Sequence, residues 1–112
     1  MRNIQHKKQP QSSWQSKPYL EQMANIGSEV YRAVNWRNKN NKEYADIAFI
    51  RSLKLFDLSK GSKLTPSQYR ELTRMREIWV DYFKYENQYN STDEDIYKYF
   101  MYLTIAFKNI SG

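Results

Sequence analysis

No cysteine occurs in this sequence, so it has neither disulfides nor thiolate metal sites. Its one histidine, His6, sits in a polar stretch near the start. With no cysteine nucleophile and no histidine base among the periodic segments, the usual nucleophilic hydrolases are excluded. Glycine and proline are scarce, three of each in 112 residues. That leaves no material for a glycine-rich phosphate loop and few breaks in long periodic runs. No apolar run reaches about 18 residues and no cleavable signal pattern is present. The expectation is a soluble, cytoplasmic, non-enzymatic protein with no membrane contact, no metal and no cofactor.

Positive charge is plentiful and unevenly placed. Of the net +6, residues 1–20 carry +4 and residues 32–63 carry +5, whereas residues 21–31 carry −2 and residues 64–112 carry −1. Cations concentrated in one half suit phosphate binding, because each neutralised phosphate releases counterions. A merely solvated surface is the alternative. The candidate nucleic-acid contacts are Arg2, Lys7, Lys8, Lys17, Arg32, Arg37, Lys39, Lys42, Arg51, Lys54, Lys60 and Lys63. Trp14 and Trp36 stand beside such residues and are candidates for stacking on unpaired bases; each is equally a candidate for packing against the core. No recognition helix or RNP sequence is present, so contact by charge and shape with RNA or DNA backbone is expected.

The periodicity is helical. Residues 1–16 are polar and predict a flexible basic arm. Residues 17–110 then predict an all-α, antiparallel up-down-up-down four-helix bundle. Tyr19, Met23, Ile26, Val30 and Val34 form the first stripe, with Ser16 a candidate cap and Gly27 marking a close helix contact. After the "NKNN" turn, the second helix, from about Asn41 to Leu58, turns Tyr44, Ala48 and Leu55 inward, flanked by Ala45, Ser52 and Phe56. "LTPSQY" predicts a capping box of Thr65 and Gln68 with Leu64 and Tyr69 as its staple. The third helix then buries Tyr69, Leu72, Met75, Trp79, Val80 and Phe83. Ser91 and Glu94 predict a second box, and the acids Asp93, Glu94 and Asp95 suit a helix start without any cation.

The last helix has more apolar circumference than one bundle hides. Ile96, Tyr99, Phe100, Leu103, Phe107 and Ile110 make a core face, which leaves Tyr97, Met101, Tyr102 and Ile105 over. These four are candidate interface residues, and a homo-oligomer or docking on a larger enzyme is expected. Arg76 joins them because it falls inside the apolar stripe of the third helix. It is either a stem laid over the core edge or an ion pair with a carboxylate such as Glu29. Glu71 and Glu86 border that stripe as the remaining carboxylates for hydrolytic work, with no partner geometry set by the sequence.

"NIGSEVYRAVNWRNKNNKEYADIAFIRSLKLFDL" (Asn25 to Leu58), followed by "RELTRMREIWVDYF" (Arg70 to Phe83), resembles small basic four-helix-bundle proteins of prokaryotes. These include the accessory variability proteins of diversity-generating retroelements. The likeness is one of size, helix layout and basicity over residues 17–110. It implies a ring-like homo-oligomer that assembles with a reverse transcriptase and its RNA. The layout is also similar to that of nucleotidyltransferase-associated HEPN bundles. Nuclease members of that type carry an arginine followed several residues later by a histidine. Here only Arg2 and His6 stand in that order, on the arm and at another spacing. "NNKEYADIAFIRSLKL" is similar to half of a tetratricopeptide hairpin, but no second copy follows. The competing class is a protein–protein module, such as an antitoxin or a nucleotidyltransferase partner, whose basic half faces an acidic protein.

Overall fold

The computed structural model describes residues 11–111, with side chains from residue 13 to residue 102. Every regular element among these residues is helical: α1 (Gln11–Gln15), α2 (Tyr19–Asn38), α3 (Lys42–Lys60), α4 (Pro66–Lys84) and α5 (Asp93–Ser111). The all-α expectation holds, with one more helix than the periodicity announces.

The extra element comes from Trp14. Its ring is buried and its Nε1 donates to Ser59 Oγ at 3.0 Å, while Gln15 Nε2 donates to the Leu58 carbonyl at 2.9 Å. Of the two roles open to Trp14, packing is the one observed. Residues 11–16 therefore join the folded body instead of the arm, and residues 1–10 lie outside the described part. Ser16 does not cap α2. Its Oγ donates to the Ser13 carbonyl and closes α1, and α2 starts directly after Pro18.

The other helix starts follow local chemistry. Asn41 caps α3 by accepting from the Tyr44 amide. Thr65 and Gln68 form the expected reciprocal box at α4. The box at α5 is shifted by one residue: Thr92 Oγ1 accepts from the Asp95 amide and Asp95 Oδ2 from the Thr92 amide. Ser91 is not free to cap, because its amide and carbonyl are both bonded to the Asn87 side chain at 2.8 Å. That loop is closed from the other side by Asp81, whose two carboxylate oxygens accept the amides of Gln88 and Tyr89.

Helix α2 packs along both α3 and α5, while α3 carries α1 and contacts α4. Met23, Ile26, Val30, Ala33 and Val34 of α2 are buried, as the first stripe requires. They meet Ala48, Phe49, Leu55 and Phe56 of α3, Leu72, Met75 and Trp79 of α4, and Ile96 and Phe100 of α5. Two residues expected inside are half exposed, Tyr44 and Tyr69. Each phenol keeps its hydroxyl in water, and on α3 the inward place falls to Phe49, which stacks on Phe83 with ring centres 4.7 Å apart. Trp79 completes that cluster and donates its Nε1 to Ser52 Oγ at 2.8 Å. Gly27 brings α2 close to α5, since a Cβ there would lie 3.2 Å from the Phe100 Cβ.

Two outcomes test this packing. Ser52→Ala leaves the Trp79 N–H buried without an acceptor and costs about 1–3 kcal/mol. Gly27→Val forces α5 away from α2 and costs about 1–3 kcal/mol by overpacking. Both are read as lowered midpoints in urea denaturation.

Candidate functional site

Of the residues left over on α5, Tyr97 and Met101 line one hollow and Tyr102 does not. Between α2 and α5 lies a half-open hollow of about 340 Å³, floored by Gly27, Val30, Ile96 and Phe100. Tyr97 is half buried on one wall, and its ring meets that of Tyr31 at 5.0 Å. Met101 and Tyr31 stand at the mouth, each about half exposed, and Tyr102, the next residue, is 71% exposed. Sequence reasoning missed Tyr31, which lies four residues after Gly27 and so shares its flank of α2. Ile105 falls beyond the described side chains. Arg32, the charged residue that lines the hollow, pairs with Glu29 at 3.2 Å.

Arg76 is not part of this groove. Its Nε lies 3.3 Å from Asp57 Oδ1 on α3, a distance that makes an ion pair but with the N–H poorly aimed. The partner is therefore Asp57 of the same chain and not Glu29, which belongs to Arg32. Its side chain is 30% exposed while its Nε is buried.

The basic residues do not form a single patch. Arg2, Lys7 and Lys8 lie outside the described residues. Arg37 is taken into the fold: its guanidinium lies over the rings of Tyr82 and Phe83 at 4.7 and 4.6 Å, donates to the Phe83 carbonyl and faces Asp93 at 3.8 Å. Asn38 Nδ2 donates to the other oxygen of Asp93. Lys17 pairs with Glu21, Lys42 with Asp46 and Lys60, loosely, with Asp57. Lys39, Arg51, Lys54 and Lys63 make no ion pair among the described residues. Lys39 and Lys42 stand at one end of α3 and Lys17, Lys60 and Lys63 at the other, separated by roughly 27 Å of helix. Trp36 is half buried at the first of these ends, its ring set edge-on to Tyr44 with centres 4.9 Å apart and Lys39 Nζ 5.3 Å from its centre.

The carboxylates are committed to structure. Asp93, Glu94 and Asp95 are engaged by Arg37 and Asn38, by Lys98 and by Thr92 respectively. No group of three metal-ligating side chains occurs among the described residues. Glu71 accepts a hydrogen bond from the Tyr19 hydroxyl, and Glu86 is exposed. Burial, with the Glu71 carboxylate beside it, holds the Tyr19 phenol far above the ordinary tyrosine value. Burial and Glu71 raise Tyr99 as well. Among the described residues no helix is long and apolar enough to cross a membrane.

No family model, curated protein or solved structure matches the chain. The arrangement of its own residues is what supports a function.

A raised phenol pKa means that the fold favours the neutral form. That stabilisation is complete below the unfolded value of about 10 and is lost as pH climbs toward the folded value. The urea midpoint therefore falls above pH ~10. Tyr19→Phe removes much of that fall and costs about 1–2 kcal/mol at neutral pH, the worth of a bond to a carboxylate in a half-exposed setting.

Proposed function

We propose that this chain is a non-enzymatic accessory module that self-associates through the α2–α5 groove and contacts RNA or DNA backbone through its lysines. The groove carries the reading. An apolar hollow lies directly beside the exposed knob Met101, and hollow beside knob is what a two-fold pair of identical surfaces uses. Charge favours a second copy there. The lining cation, Arg32, is paired with Glu29, so two copies of a +6 chain meet without an unpaired charge lining this face. The cations without an ion pair are Lys39, Arg51 and Lys54 on the hairpin of α2 and α3 and Lys63 in the connection to α4, and they stay available to phosphate.

The contact registers support the expected up-down-up-down course of the four long helices. Trp36 meets Tyr44 while Gln22 meets Ser62, which sets α2 against α3. Phe49 meets Phe83 while Asp57 meets Arg76, and Asn38 meets Asp93 while Gly27 meets Phe100. By its resemblance to retroelement accessory proteins, the larger partner is a reverse transcriptase, or else a nucleotidyltransferase. Cytoplasmic placement goes with that role.

Light scattering of the purified chain gives a mass that is a multiple of 13.6 kDa. Met101→Glu, at an exposed position, returns it to 13.6 kDa with unchanged far-ultraviolet circular dichroism. A wild-type chain that is monomeric at all accessible concentrations refutes the assembly reading.

A further inference from the structure

The tip of the α2–α3 hairpin carries two features that the assembly role does not use. The first is Trp36. Trp14 and Trp79 are fully buried with their indole N–H groups given to serines, so Trp36 is the tryptophan left at the surface. Tyr44 packs against it with the two rings at 88° and their centres 4.9 Å apart, which fixes the plane of the ring. What lies over its face is the ammonium of Lys39, an exposed and flexible side chain that a flat ligand displaces at little cost.

The second feature is a hollow of about 330 Å³ on the other flank of the same turn, walled by Arg37, Asn40, Lys42, Asp46 and Lys84. Arg37 is met by Asp93, and the remaining two lysines share one carboxylate, Asp46, which lies 2.6 Å from Lys42 and 3.9 Å from Lys84, so the hollow keeps one uncompensated positive charge. The turn between the two features is short and rigid. Asn40 sits in the left-handed region at φ 62°, and the amides of Lys39, Asn40 and Asn41 are bonded back to the end of α2. An aromatic platform on one side and a cationic hollow on the other are what one nucleotide and its neighbouring phosphate require. A base must be unpaired to reach such a ring, which selects single strands over duplex.

We infer that the hairpin tip is a binding site for an unpaired nucleotide, with the base stacked on Trp36, Lys39 on the adjoining phosphate, and the next phosphate at Lys42 and Lys84. This rests on the nucleic-acid part of the proposed function and names the residues and the form of nucleic acid.

The test titrates the full chain with a short oligothymidylate, and with a duplex of equal length, at low salt. Tryptophan fluorescence and affinity are followed together. Binding of the single strand quenches the signal, and the duplex binds more weakly. Trp36→Phe abolishes most of the quench and keeps most of the affinity, whereas Trp36→Ala weakens binding about tenfold or more. Lys42→Gln lowers the log–log salt slope by about 0.7, the share of one phosphate on a single strand. Unchanged affinity in Trp36→Ala with an unquenched wild type overturns the stacking site while leaving a charge-driven contact elsewhere. No binding of either nucleic acid at low salt overturns the nucleic-acid reading and this site with it.

Discussion

Two buried serines on α3 hold the molecule to one arrangement. Ser52 and Ser59 stand seven residues apart, so they face the same way along the helix, and both are fully shielded from water. Each accepts an indole N–H, one from Trp79 of α4 and one from Trp14 of α1. Apolar packing alone tolerates sliding and rotation of a large ring. A ring that must also reach a single hydroxyl does not slide, because a buried N–H without an acceptor is costly. Ser52 in turn donates to the Phe49 carbonyl, which leaves its lone pairs facing the indole. Helix α3 is thus the ruler against which α1 and α4 are set.

The charges divide into two groups by the same logic of satisfaction. Arg37 is held by two aromatic faces, a carbonyl and an acid, and its function is to join the ends of α2 and α4 to the start of α5. Its long planar head makes such a junction where a lysine would not. Lysines on the hairpin surface have no comparable set of partners: Lys42 has Asp46 alone and Lys39 only the face of Trp36.

Much of this was legible in the sequence, and the failures have physical causes. Periodicity located the long helices because each buries a continuous stripe, and the Thr65–Gln68 box marked a start because both partners lie within one turn. Tyr97, Met101 and Tyr102 were legible as surplus apolar surface on α5, since no single bundle encloses that arc. The cap at Thr92 was misplaced by one residue because Asn87, four positions earlier, claims Ser91 through a loop that no periodicity describes. Trp14 was ambiguous because its acceptor is 45 residues away. Tyr31 was overlooked because a groove belongs to two helices at once, and reading one helix at a time sees only half of it. Arg37 was assigned to phosphate because a charge count is blind to the rings of Tyr82 and Phe83 that embrace it.

The connection between α4 and α5 has a consequence for whatever covers the groove. Asp81 fastens two of its amides, the Asn87 side chain bridges Ser91, and Asn87 and Asn90 adopt left-handed backbone that shortens the path. A segment pinned at so many points cannot act as a loose tether, so α5 begins from a fixed direction. The surface beside Gly27 is therefore set by the chain's own bonds, with little conformational freedom left in it.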